Sequence, residues 1–301
     1  MKAIVVYNDQ AGQSVVGTAR PDAAALHTAF AAAGIDADLR GARGEAIQKT
    51  LRDAAGEKPE IMYVGGGDGT ISTAAGILAG GSTVLGVLPL GTLNHFARDL
   101  GIPLAWPEAI RALAVAPVRA VDVAEVNGRV FINNCSIGSY ADAVRRRDAL
   151  RRQKGHGKWL AMFLASWTVF LDLRRLRLQI TSPETSRSLR TPFVLVANNR
   201  YSGRVLDSSL RPRVNEGRLW LYTTRAHRHG ALLRLAWQSL VRRIDAADAL
   251  EMISTTEINI STPQATLPVA ADGEVLSVKP PLQFKIRPAA LRVLTPISDS
   301  Q

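Results

Sequence analysis

The stretch Gly65-Gly66-Gly67-Asp68-Gly69-Thr70 constrains this chain more than any other. An apolar run, Ile61-Met62-Tyr63-Val64, precedes it, and Ile71 to Leu78 after it have a composition that suits a helix. Strand, glycine loop and helix in that order bring free backbone N–H groups and a positive helix N-terminus to one point, which is a site for phosphate. Glycine lets a backbone turn sharply and approach a ligand closely, at a cost of about 1 kcal/mol each in chain entropy. Four glycines in five residues call for such a reason. The alternative is a tight strand-to-helix turn in which Asp68 bonds its own backbone.

Around this loop the first third of the chain alternates strand and helix. Ala3 to Tyr7 is an apolar run, Pro21 to Ala33 reads as a helix with proline in its first turn, and Glu45 to Ala55 carries Ile47, Leu51 and Ala54 at helical spacing. A further apolar run, Val84 to Leu88, leads into Pro89-Leu90-Gly91-Thr92-Leu93-Asn94, and a short helix follows near Pro107 to Val115. Continuous apolar strands between helices mean a parallel sheet covered on both faces, with ligands beyond the carboxyl ends of the strands.

Past Val118 the pattern changes. Leu176 to Ile180, Ile258 to Ile260 and Leu282 to Ile286 alternate strictly between apolar and polar, as antiparallel strands with one wet face do. Runs at Phe193 to Ala197 and Leu219 to Tyr222 and a helix near Gly230 to Arg243 are interleaved. The expected architecture is an α/β nucleotide-binding domain over residues 1–120, which 288–301 could complete, and a mainly antiparallel β-sandwich over 121–287.

The single cysteine, Cys135, rules out an internal disulfide and fits a reducing compartment. The longest apolar run, Trp159 to Leu171, has 13 residues, whereas crossing a bilayer takes about 20. Net charge is +11, which favours phosphorylated ligands, nucleic acid or an anionic lipid surface. Arg145, Arg146, Arg147, Arg151, Arg152, Lys154 and Lys158 crowd just ahead of that apolar run. A basic segment beside an apolar, Trp-bearing helix has the composition of a membrane-surface contact, and a solvated helix followed by a core helix is the alternative. Together these features point to a cytoplasmic protein at the inner face of the membrane. No nucleic-acid module is recognisable, so a nucleic-acid partner is not expected.

Four polar loops carry candidate chemistry: Asn8-Asp9-Gln10-Ala11-Gly12, the glycine loop, Pro89 to Asn94, and Asp272-Gly273-Glu274. The glycine loop lacks the lysine of a P-loop, and G-x-G-x-x-G is absent, so neither standard phosphate motif applies. Phosphates would be met by backbone amides, by the Thr70 and Thr92 hydroxyls and by a divalent metal, which suffices where catalysis is mostly positioning and electrostatics.

In joint order and spacing these loops resemble the diacylglycerol kinase catalytic family, which includes bacterial lipid kinases and sphingosine kinases. The resemblance extends through Phe131 to Gly138 and Ala197 to Gly203, nearly the whole chain. It implies an ATP- and Mg2+-dependent lipid kinase of phospholipid metabolism that phosphorylates a hydroxyl of diacylglycerol or a related lipid alcohol, and it leaves room for a homodimer. Carried onto this sequence, it assigns ATP contacts to Asn8, Asp9, Gln10, Ala11 and Gly12, to Arg40, to Gly66, Gly67, Asp68, Gly69, Thr70, Ile71 and Ser72, and to Thr92 and Asn94. It makes Glu274 the general base, Asp272 its support or a metal contact, and Asp68 a magnesium or loop-fixing residue. The structural alternatives are a plain Asp-Gly hairpin at 272–273 and helix capping by Asp68.

The chain also departs from the family pattern. Asn8-Asp9 stands where many members have Asn-Pro, His95 where an aspartate is usual, Arg40 where a threonine is common, and Glu216 where an aspartate precedes glycine in a structural magnesium loop. That metal is therefore expected to be weakened or absent at Glu216. Two other readings stay open: a kinase of a soluble acceptor, as in NAD kinases that share a Gly-Gly-Asp-Gly-Thr loop, and an inactive nucleotide- or lipid-binding homologue.

Overall fold

In the computed structural model, residues 2–9, 21–138, 175–201, 211–224 and 250–296 are described, and elements are numbered among them. The first half runs β1 (Lys2–Asn8), α1 (Ala23–Ala32), β2 (Asp36–Ala42), α2 (Ala46–Gly56), β3 (Ile61–Gly66), α3 (Asp68–Leu78), β4 (Val84–Pro89), α4 (His95–Asp99) and α5 (Trp106–Ala114). Then follow β5 (Val118–Val126), β6 (Arg129–Phe131), β7 (Asn134–Gly138), β8 (Leu176–Thr181), β9 (Ser186–Thr191) and β10 (Phe193–Asn198). The remainder is strand: β11 (Leu219–Thr224), β12 (Leu250–Thr255), β13 (Glu257–Ser261), β14 (Leu267–Ala271), β15 (Glu274–Val278) and β16 (Leu282–Leu294).

β2, β1, β3 and β4 lie side by side and parallel. Every residue of β3 and β4 is buried, as a sheet with helices on both faces demands. β16 then continues this sheet, meeting β4 in parallel at Val293 and Leu85 and pairing antiparallel with β5 and β13. β8 and β9 extend it to the far edge. A second sheet, ordered β12, β11, β10, β7, β14, β15, is antiparallel throughout. Leu176, Leu178 and Ile180 on one sheet and Val194, Val196, Leu219 and Leu221 on the other close a core between them. The fold is thus an α/β domain with a mostly parallel sheet followed by an antiparallel β-sandwich.

Both edges of the expected domain division, 120/121 and 287/288, fall inside strands. β5 spans the first, and β16 spans the second at a register shift between Arg287 and Leu291. That irregularity lets one strand serve two cores: Leu282, Phe284 and Ile286 pack in the sandwich, and Leu291, Val293 and Leu294 pack in the α/β core. The expected helix near 230–243, the basic segment at 145–158 and the apolar run at 159–171 lie outside the described residues.

Candidate active site

The carboxyl ends of β1, β3 and β4 open into one cleft of about 400 Å3, lined by Asn8, Gly67, Gly69, Thr70, Gly91, Thr92 and Glu274 with Gly44, Ile47 and Thr73. The three N-terminal loops singled out in the sequence therefore meet, as strand polarity dictates, and the late acidic loop joins them.

The glycine loop is built for close approach rather than for a left-handed turn. None of Gly65, Gly66, Gly67 and Gly69 has positive φ, which corrects the sharp-turn half of the sequence argument. A Cβ on Gly66 would lie 2.6 Å from Thr70 Cβ, and one on Gly91 would lie 2.5 Å from Gly67 Cα. The backbones of the two phosphate-facing loops thus touch, and only glycine permits it. Gly67 caps α3 without a side chain, so the first amides of that helix have no intrahelical partner and face the cleft with the positive dipole end.

Asp68 fixes the two loops to each other. Its Oδ1 accepts from the His95 amide at 2.8 Å and its Oδ2 from the Asn94 amide at 3.1 Å. It caps α4, a helix other than its own, and does not line the cleft. Asn94, buried and in the left-handed region at φ 52°, turns inward. Its Oδ1 accepts from Gly91 N at 3.0 Å and its Nδ2 donates to Gly91 O at 3.0 Å, so this side chain shapes the loop.

The Asp272-Gly273 turn has φ of 46° and 83°, positive at both central positions, and Ala271 pairs with Glu274 across it. It is a tight two-residue hairpin of the I′ kind. Its two carboxylates nevertheless separate in role. Asp272 is half-buried, and Ser72 Oγ donates to its Oδ2 at 2.5 Å, as does the Ile132 amide at 2.8 Å. The Asn133 and Asn134 amides donate to Oδ1 at 2.8 and 3.2 Å. Burial pushes the Asp272 carboxyl above its ordinary 3.8, while these four donors pull it back. Asp272 thus ties the hairpin to α3 and to the link between β6 and β7. Glu274, half-exposed, projects into the cleft with Oε1 3.3 Å from where a Cβ on Gly69 would sit. Its Oε2 accepts from Arg129 Nη2 at 2.5 Å.

Several expected contacts fall elsewhere. Ile71 is a core residue, Ser72 is engaged by Asp272, and Gly66 is buried behind Thr70. The Arg40 guanidinium is held by Asp38 and Glu57 and does not line the cleft. Asp9 lies beside Arg43 at 3.2 Å, also outside the lining. Gln10, Ala11 and Gly12 lie outside the described residues. Glu216 Oε2 accepts from Trp220 Nε1 at 3.2 Å and from the Arg200 amide at 3.3 Å, and Glu216 does not line the cleft. Among the described residues, no three His, Cys, Asp or Glu side chains gather as a metal cage.

Sequence reasoning missed Gly44, Ile47, Thr73 and Arg129. Thr73 stands three residues after Thr70 on the same face of α3, a spacing that could have flagged it. Gly44 and Ile47 follow β2, a polar edge strand whose pattern carries little signal. It also missed Asp99 and Arg211, which form a fully buried ion pair at 2.7 Å. Arg211 further donates to the carbonyls of Ile132 and Asn198 at 2.6 and 2.7 Å. Burial is the largest influence on Arg211 and would lower its pKa, but the charge and hydrogen bond of Asp99, with Tyr201 and Asp272 beside it, together outweigh burial and hold the guanidinium above its ordinary value. The pair joins α4 to the Ile132 to Asn134 link that Asp272 grips, so one polar web runs beneath the cleft.

Residues 2–126 match the family model described as diacylglycerol kinase catalytic domain, and 133–295 match the YegS C-terminal NAD kinase beta sandwich-like domain. A protein of Pseudomonas syringae pv. syringae (strain B728a) described as "Probable lipid kinase YegS-like" is 30% identical over 287 residues, covering 87% of this chain and 84% of that protein. Its counterpart in Pseudomonas savastanoi pv. phaseolicola is 31% identical over 284 residues, covering 86% of this chain and 81% of its own length. Two crystal structures from Bacillus anthracis str. Sterne share the fold at TM-scores of 0.74 and 0.68, with 24% and 20% identity. Each spans 98% of this chain, over 97% and 96% of its own length, and the second is titled as a diacylglycerol kinase. With both halves matched in order and relatives aligned along most of its length, the chain belongs to the diacylglycerol kinase catalytic-domain family, among its YegS-like lipid kinases.

Proposed function

We propose that the protein transfers the γ-phosphoryl group of ATP to a hydroxyl of diacylglycerol or a related long-chain lipid alcohol. The observation that carries this reading is the position of Glu274, a sandwich carboxylate that reaches across to the uncapped amides of α3. Phosphoryl transfer needs donors around the phosphates and an acceptor for the hydroxyl proton, within hydrogen-bond reach and in line. The amides of Asp68, Gly69 and Thr70 and the hydroxyls of Thr70 and Thr92 serve as the donors. Glu274 takes the proton from the lipid hydroxyl. Arg129 orients that carboxylate, and Asp272 sets the hairpin that delivers it.

A cleft with one carboxylate and several hydroxyls suits Mg2+ that arrives on the nucleotide and keeps most of its waters. Thr70, Thr92 and Glu274 would border the ion, which supplies charge neutralisation at the phosphates. The expected membrane association, carried by the basic and apolar segments of the sequence, remains part of this proposal, as does the homodimer that the family resemblance leaves room for.

The test is transfer of radiolabel from γ-labelled ATP to a panel of diacylglycerol, sphingosine, ceramide and NAD. Labelled lipid is expected, and Glu274→Gln should reduce it by about 10^2–10^4-fold, the range of a lost general base. Label entering NAD alone would favour the soluble-acceptor reading that the second family match suggests. Undiminished transfer in Glu274→Gln would refute the assignment of the base, and no transfer to any acceptor would favour the inactive homologue.

A further inference from the structure

We propose that the outer face of β8, β9 and β13 carries a second anion site, distinct from the cleft at Glu274, which takes the phosphate group of a phosphate ester. A depression of about 700 Å3 lies there, lined by Arg177, Gln179, Ser188, Arg190, Ser261 and Thr262, with Leu189 and Pro263 as apolar walls.

Arg177 and Arg190 are direct cross-strand partners in the β8–β9 hairpin, and both are exposed. Like charges in directly opposed positions repel, and sheets ordinarily avoid them. Neither guanidinium has an ion-pair or hydrogen-bond partner among the described residues. Arginines elsewhere in the sheets are paired: Arg187 with Glu251, Arg218 with Glu184 and Arg287 with Glu125. No acidic residue lines the depression. An anion between the two guanidiniums removes the conflict, because each planar fork can donate two parallel N–H bonds to a phosphate.

The Ser261 and Thr262 hydroxyls supply the rest of the donor set, since the Ser188 hydroxyl donates to Gln179. Gln179 Nε2 donates to Ser186 Oγ at 3.0 Å, and Ser188 Oγ bonds Gln179 Oε1, so the amide side chain is held in place. The Thr262 hydroxyl is buried at the depression with no hydrogen-bond partner among the described residues. A buried polar atom left unpaired is costly, and a ligand oxygen would satisfy it. Two forked cations with hydroxyls match a tetrahedral oxyanion better than a planar carboxylate, which one guanidinium already saturates.

The place in the sheet separates this site from the nucleotide cleft. β16 and β13 stand between β4 and β8, which is about 14 Å at the usual strand spacing, and the two sets of lining residues share no member. The proposal therefore stands whether or not the lipid-kinase reading holds. A free phosphate compound and the headgroup of an anionic lipid present the same chemistry.

The experiment compares the full-length wild type with Arg177→Gln/Arg190→Gln, and with Thr262→Val as a second, independent variant. Inorganic phosphate is titrated by calorimetry at low salt. Any binding in the nucleotide cleft is common to all three proteins, so the difference between isotherms reads this site alone. A component at least tenfold weaker in the double variant and several-fold weaker in Thr262→Val, at unchanged melting temperature without phosphate, is the expected result. Sedimentation with phosphatidylcholine vesicles, with and without phosphatidic acid, then identifies the source. Loss of phosphatidic-acid-dependent binding in the double variant assigns a lipid headgroup, and retained vesicle binding with lost phosphate binding assigns a soluble phosphate compound. Phosphate isotherms that coincide in all three proteins overturn the site.

Discussion

Exchanging Asp272 and Glu274 one at a time should separate folding from chemistry in a single hairpin. Asp272→Asn keeps the shape and suits the left-handed backbone at φ 46°. The amide oxygen can retain the bonds from Asn133 and Asn134 to Oδ1. Its NH2 group then faces the Ile132 amide, and Ser72 can rotate its hydroxyl to accept, but a backbone N–H cannot. One buried donor is left facing another, which costs about 1.5–3 kcal/mol for a bond to a charged group. Asp272→Ala loses all four bonds and puts a side chain intolerant of positive φ in the turn, so about 4 kcal/mol is expected, near the range for breaking a buried charged contact. At about 2 °C per kcal/mol for a chain of this size, the midpoints should fall by about 3–6 °C and 8 °C. Glu274→Gln weakens only a half-exposed ion pair with Arg129, worth under about 1 kcal/mol, so its midpoint should move by no more than about 2 °C while turnover collapses. Calorimetric melting and labelled-ATP transfer on the same preparations read both effects. An Asp272→Asn protein that melts like wild type yet has no activity would reverse the two roles and refute the reasoning.

The remaining predictions concern the supports of the cleft. Gly91→Ala puts a methyl group 2.5 Å from Gly67 Cα; backbone must move, so a loss of about 1–3 kcal/mol in thermal melting and a raised KM for ATP are expected. Arg211→Met leaves Asp99 buried without its partner and should cost about 3–5 kcal/mol in urea unfolding. In the double variant Arg211→Met/Asp99→Leu, part of that loss should return, because the uncompensated charge is gone, and a double-mutant cycle measures how much.

Most of the fold was legible because it rests on local periodicity. The unbroken apolar run of β3 and the strict alternation at Leu176 to Ile180 each reflect one strand's surroundings, two covered faces against one. β2 escaped notice because it is an edge strand bearing Asp36, Asp38 and Arg40, with little apolar pattern to read. The expected division at 287/288 falls inside β16, which crosses it unbroken, since a bulge lets one strand turn between two cores without a linker.

At the site, sequence alone determined the residue types and their loops: glycines before a helix, threonines beside them, and two carboxylates in one late turn. Tertiary structure decided what each does. From sequence Asp68 could hold magnesium, fix the phosphate loop or cap a helix, and it joins that loop to the start of α4. Ser72 and Asp272, 200 positions apart, meet at 2.5 Å, so each side chain is engaged by the other, while Glu274 lines the cleft. Such assignments depend on which donors packing brings to a buried carboxylate. A chain's local pattern carries the tendency of each segment to form strand or helix, whereas the partner of a buried charge is set by segments that are distant in sequence and fixed only when the two sheets close.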